Sequence, residues 1–159
     1  MLQRARLSWD ARRICLWGDK IREHPDRINP AIGKRFLNGE NFTAQNALKL
    51  EFHLQKLRKE YLRQTSDYDF VVGPTQPQIP PEISKLETDT SYYIEMALMS
   101  ISLTRLANLL GLCATTQPVG SALGFPVGLM IMAPPFQENK LLRCAMAVET
   151  LLNTALPKK

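Results

Sequence analysis

Apolar residues recur every three or four positions through the opening third of the chain. Ile14, Leu16, Trp17 and Ile21 form one such stripe and predict a helix from about Leu7 to His24, stopped by Pro25. Residues 25–30 read as a loop bounded by two prolines. A short second helix follows, with Pro30 in its first turn, where a missing N–H costs nothing, and Gly39 just past its end. Thr43 stands where an N-cap belongs, ahead of a long third helix reaching about Arg63. On that helix Ala47, Leu50, Leu54, Leu57 and Tyr61 alternate spacings of three and four. At about 1.5 Å per residue it spans roughly 30 Å, enough to cross a domain.

The pattern changes at Asp69. Phe70-Val71-Val72, between Asp69 and Gly73-Pro74, reads as a short, fully buried strand of the kind found inside a parallel sheet covered on both faces. A loop rich in proline follows (Pro74, Pro77, Pro80, Pro81), leaving the strand where α/β folds tend to place ligands. Proline stiffening of a plain connection accounts for it equally well. Tyr92 to Leu110 is helical in pattern, closed by Gly111 as a C-cap. Two strands are then expected, Cys113 to Gln117 ended by Pro118, and Val127 to Met132 ended by Pro134-Pro135. Gly120 and Gly124-Phe125-Pro126 supply the turn between them. A final helix, about Glu138 to Leu152, aligns Leu141, Leu142, Ala145, Val148 and Leu152 on one face. The expectation is an α/β chain forming part of an α/β/α sandwich. It is a single domain or a fragment over residues 1–159, helical and basic over 1–64, with the strands and helices of a sheet core over 65–159.

Composition narrows the class. With 45% apolar and 22% charged residues the chain is ordinary globular material. No run approaches the ~20 apolar residues that span a bilayer, and the basic start lacks the apolar core of a secretory signal. A soluble cytoplasmic protein without a membrane partner is expected. Cys15, Cys113 and Cys144 are odd in number and widely spaced, which reads as buried thiols. Only His24 and His53 accompany them, so no metal-ligand spacing can be assembled and no cofactor is implied.

The formal charge of +5 is uneven: residues 1–64 carry 14 Lys or Arg against 7 Asp or Glu. A phosphate-binding face would look like this. The signs alternate, however, as in Asp19-Lys20 and Lys59-Glu60, and no aromatics are interleaved for base stacking. Solvated helix faces explain the charge better, and nucleic acid is not expected as a partner.

More specific are the residues of the second half. Asn108-Leu109-Leu110-Gly111-Leu112-Cys113-Ala114, then Pro118, then Gly124-Phe125-Pro126-Val127-Gly128-Leu129, then Phe136-Gln137-Glu138 with Leu141-Leu142, resemble the carboxyl-terminal block of the amidase-signature family. Arg35 with Gly39, the long helix with Arg63, and Asp69 leading through Val71-Val72 to Pro74-Thr75 agree in order and spacing, so the resemblance covers roughly residues 30–152. Two positions depart from the family pattern, which commonly has proline where Cys113 stands and glutamine where Met130 stands. The cysteine resembles the allophanate-hydrolase-like and broad-specificity branches. In the glutamine-using branch an acidic residue lies three positions before the threonine that Thr104 matches. Ile101 occupies that position here, which argues against glutamine as substrate.

The resemblance implies the mixed-sheet α/β fold of that family and hydrolysis of carbon–nitrogen amide bonds through an acyl-serine, without metal or organic cofactor. It also implies a Ser-Ser-Lys triad in a glycine- and serine-rich segment upstream. A hydroxyl attacks a carbonyl only when a neighbouring base takes its proton and N–H donors hold the oxyanion. None of Ser8, Ser66, Ser84, Ser91, Ser100, Ser102 and Ser121 is followed by a second serine or by paired glycines. Gly120-Ser121-Ala122-Leu123-Gly124 misses the nucleophile elbow by one position and reads as a turn. His24 and His53 read as surface residues of helices.

The chain therefore reads as the carboxyl-terminal part of an amidase-like hydrolase, inactive alone and completing the fold and substrate pocket of the whole enzyme. Its partners would be an amino-terminal amidase half and a small amide substrate. Arg35, Thr75, Ile101 and Thr104 are the residues expected at the pocket. The alternative is a catalytically dead remnant that self-associates through its sheet edge and apolar faces.

Overall fold

The computed structural model describes residues 2–155, which form two compact units dividing between Leu57 and Arg58. In the first unit α1 (Leu2–Glu23) and α2 (Pro30–Leu37) are joined by a single tight turn at Pro25–Arg27. A second such turn at Asn38–Asn41 leads to α3 (Ala44–Gln64), which continues into the second unit. The helix α1 begins before its apolar stripe, because the residues ahead of Leu7 are strong helix formers. Thr43 acts as expected, its Oγ1 accepting from the Asn46 N–H at 3.2 Å. Arg22 on α1 donates both to Asp19, at 2.8 Å, and to Glu40 in the turn after α2. The Glu40 carboxylate, first of all by this hydrogen bond, holds the Arg22 guanidinium above its already high ordinary pKa. Arg13 lies over the Phe36 ring, 5.0 Å from its centroid.

The second unit is built on three strands in the order β1-β3-β2, with β1 Val71–Pro74, β2 Cys113–Ala122 and β3 Phe125–Ala133. Both pairings are antiparallel. This corrects the expectation for Phe70-Val72. The segment is not an interior strand of a parallel sheet, since β1 borders one neighbour and Val72 is 50% exposed. The strand buried on both faces is β3. Ile131, Ala133, Leu141 and Ala145 cluster on one side of it, under α7 (Glu138–Ala155), with Phe70, Cys113 and Val148 around them. Met130, Met132 and Ala107 cluster on the other, under α6 (Thr104–Leu110), with Val71 and Leu112. A strand covered on both faces needs apolar residues at every position, which is why Leu129–Ala133 reads as an unbroken apolar run. Helix, sheet and helix thus stack as an α/β/α sandwich, and the α/β class is as expected.

Three boundaries differ from the sequence reading. The strand β2 does not stop at Pro118. It lies at the sheet's edge, where a residue without an N–H is tolerated. Between Pro118↔Gly128 and Ser121↔Pro126 it carries one extra residue, a bulge that Gly120 serves with a φ of 126°. The hairpin closes on two residues, Leu123 (φ 52°) and Gly124 (φ 82°), both left-handed as the tightest hairpin turns require. The segment from Tyr92 to Leu110 is not one helix but two, α5 (Thr90–Ser100) and α6, preceded by the short α4 (Ile83–Thr88) in the proline-rich loop. Asp89 caps α5, accepting from Ser91 N at 2.8 Å and Tyr92 N at 3.0 Å. At the break the Ser100 hydroxyl donates to the Met96 carbonyl at 2.8 Å and the Thr104 hydroxyl to the Ile101 carbonyl at 3.3 Å. Such back-bonding competes with the helical ladder and bends it. Gly111, with φ 69°, caps α6 as expected.

Among the described residues no helix is long and apolar enough to cross a membrane. One side of α7 keeps Leu142 and Met146 exposed, and the cysteines, expected to be buried, are exposed at Cys15 and half-buried at Cys113 and Cys144.

Candidate functional site

The face of the sheet under α6 ends in an open cleft of about 520 Å³, walled by Thr104, Ala107 and Asn108 of α6 and floored by Thr75, Thr116 and Met130. A neighbouring cleft of about 510 Å³ lies between the proline-rich loop Gln76–Pro81 and the hairpin residues Phe125–Gly128. Gln78 braces that loop, its Nε2 donating to Ser100 Oγ at 3.3 Å. Among the described residues no charged side chain lines either cleft.

The floor of the first cleft follows from strand register. Gly73 and Thr116 both stand opposite Met130, on the two sides of β3. Past Pro74 the ladder continues, Thr75 N donating to the Gly128 carbonyl at 2.9 Å. Thr75 and Thr116 therefore flank β3 from opposite sides, and their hydroxyls hydrogen-bond to each other at 2.5 Å. They meet above Gly128, where a Cβ would stand 2.8 Å from each Oγ1. Only glycine leaves that space open. The hydroxyl pair stays accessible, Thr116 being exposed and Thr75 half-buried.

Of the residues expected at a pocket from sequence, the structure brings Thr75 and Thr104 to this one cleft. Ile101 lies in the turn between α5 and α6, 38% exposed, and lines neither cleft. Arg35 is half-buried on α2, in the first unit. Sequence reasoning missed Thr116 and Asn108, and it gave Gly128 no role beyond a family motif. The signal was present only as a glycine in an apolar strand, which marks a close approach without naming what approaches.

Among the described residues no member of the expected acyl-transfer centre is assembled. Ser100 Oγ donates to a carbonyl of its own helix, Ser66 Oγ, in the turn after α3, reaches Arg63 O at 3.1 Å and Asp67 Oδ1 at 3.2 Å, and Ser84 Oγ donates to Glu82. Within the same residues no hydrogen bond joins a serine hydroxyl to a lysine; Lys85 pairs with Glu82 and Lys140 with Asp69. His24 and His53 are exposed, and among the described residues no three His, Cys, Asp or Glu gather at metal-ligand distance.

Comparison with known proteins adds four findings. The sequence profile described as Amidase matches residues 18–142. The chain is 31% identical over 128 residues to a 2-amino-5-chloromuconic acid deaminase of Comamonas testosteroni, covering 80% of this chain and 28% of that protein. It is 33% identical over 122 residues to a glutamyl-tRNA(Gln) amidotransferase subunit of Methanocaldococcus jannaschii, covering 77% of this chain and 26% of that one. In fold it is similar to an allophanate hydrolase of Kluyveromyces lactis, with a TM-score of 0.73 at 23% identity over 89% of this chain and 24% of the other. The chain spans little more than a quarter of the length of these two curated relatives.

Proposed function

Because the chain belongs to the amidase family, we propose that it is the carboxyl-terminal part of a cytoplasmic enzyme that hydrolyses carbon–nitrogen amide bonds. In that enzyme it completes the sheet and walls one side of the substrate pocket. Thr75 and Thr104 face the substrate, and Arg35 and Ile101 contribute to the pocket of the whole enzyme. The nucleophilic serine and its lysine base come from an amino-terminal portion, and the chain alone is inactive.

One observation carries this reading. A family match over residues 18–142 coexists with serine hydroxyls that, among the described residues, donate to backbone carbonyls and to the carboxylates of Asp67 and Glu82, none of them hydrogen-bonded to a lysine. A serine hydroxyl without a base beside it does not attack an amide at a useful rate. The Methanocaldococcus relative bears the name of one component of a larger assembly, which supports a partner for this chain as well.

The test is reconstitution. The chain is mixed with the amino-terminal portion of a relative, and release of ammonia from small primary amides is followed. Activity is expected from the mixture and from neither part alone. Turnover by the chain alone, with one of its seven serines labelled by a fluorophosphonate, would overturn the reading.

A second reading is favoured by the exposed apolar side of α7, at Leu142 and Met146, and by the sheet edges at β1 and β2. On this reading the chain is a catalytically inactive module that associates with a second copy of itself.

A further inference from the structure

We infer that the Thr75–Thr116 hydroxyl pair above Gly128 is a binding point for an uncharged carboxamide, with the apolar part of the ligand lying toward Ala107 and Met130. This rests on the amide-hydrolase reading for the ligand's class and adds the atoms that recognise it. Each threonine hydroxyl carries one proton and two acceptor lone pairs. The bond between the two hydroxyls consumes one proton and one lone pair. One O–H donor and several lone pairs remain, on accessible atoms at the floor of the cleft.

A donor beside acceptors is the complement of a primary carboxamide, which offers a carbonyl oxygen and an NH₂ group side by side. A carboxylate offers acceptors alone and an ammonium donors alone. Either would also find no counter-ion in the described lining of the cleft. The hydroxyl of Thr104 is already committed to the Ile101 carbonyl, whereas the strand pair keeps one O–H uncommitted by the bond within it. Gly128 makes the arrangement possible, since any side chain there would occupy the place where the two Oγ1 atoms meet.

The experiment uses the full chain in solution and propionamide as probe, with propionate and N,N-dimethylpropionamide as controls. Amide resonances are followed by NMR. Propionamide is expected to shift Thr75, Thr116 and Gly128 saturably, and both controls to bind roughly tenfold or more weakly, as loss of one or two hydrogen bonds implies. T116V removes one hydroxyl at constant shape and is expected to abolish the shifts at the pair, while T116S keeps the hydroxyl and the binding. The inference is overturned if propionamide leaves these residues unmoved in the folded chain, if propionate binds equally, or if T116V retains the affinity. The outcome is separable from reconstitution. Ammonia release without propionamide binding refutes this site alone, and binding without ammonia release refutes the enzyme reading alone.

Discussion

Thr75 and Thr116 lie 41 positions apart in sequence, yet their hydroxyls are hydrogen-bonded across the backbone of the strand that separates them. The contact exists because β3 runs antiparallel to both neighbours and carries glycine at the point where they converge.

Filling that point should be costly. In G128A the new Cβ falls 2.8 Å from both Oγ1 atoms, closer than real contacts allow. Overpacking of this kind costs about 1–3 kcal/mol. Urea denaturation should show this loss and should show a smaller one when alanine is introduced into a T75A/T116A background. Equal losses in the two backgrounds would separate the glycine from the hydroxyl pair.

The centre of the sandwich should be the most sensitive position. Ile131 is fully buried between β3 and α7, so I131A removes apolar volume that nothing refills. The expected loss is about 2–5 kcal/mol, a large part of the stability of a small domain. M146A, on the outer side of α7 where the side chain is 67% exposed, should leave the midpoint of denaturation nearly unchanged.

Helix α5 should depend on its cap. Asp89 satisfies the N–H groups of Ser91 and Tyr92, and D89A should cost about 1 kcal/mol, with D89N keeping most of it. Thermal unfolding of the three proteins checks the order.

Association should map to α7. L142E with M146E places charge on side chains that are already exposed, so the fold should persist by circular dichroism. Sedimentation should then show loss of the dimer if the chain pairs with itself, and the reconstituted mixture should lose ammonia release if this face meets the amino-terminal portion. Persistence of both would remove α7 from either interface.

Acid should weaken the end of α3 in a defined direction. Hydrogen bonds from Arg63 and then Gln64 hold the Glu60 carboxyl below its ordinary value of 4.5. A depressed carboxylate contributes stability above its unfolded value, and that contribution disappears as pH falls through the folded one. The chain should therefore exceed E60Q in helicity at neutral pH by a small margin, and the two should coincide in acid. A margin that grows in acid would have the wrong sign.

Much of the local structure was legible in the residues. The three- and four-residue spacings of α3 and α7, the Thr43 cap, the Gly111 cap and the proline after α1 each act within a turn or two of themselves, so sequence alone carries them. The amidase block around Gly124–Leu129 was legible too, as a motif. The break in α5–α6 was not, because back-bonding by Ser100 and Thr104 looks the same in sequence as a solvated hydroxyl. Nor was the status of β1. Phe70-Val71-Val72 is apolar enough for an interior strand, and only the strand that pairs with it decides whether it is one.

Periodicity, caps and turn residues determined where helices and strands form and which family the chain resembles, since these signals depend on neighbours along the chain. Strand direction, the central place of β3 and the meeting of Thr75 with Thr116 above Gly128 were decided by tertiary structure. They depend on register between segments tens of residues apart. A one-residue slip there would turn every side chain to the other face without altering any local propensity.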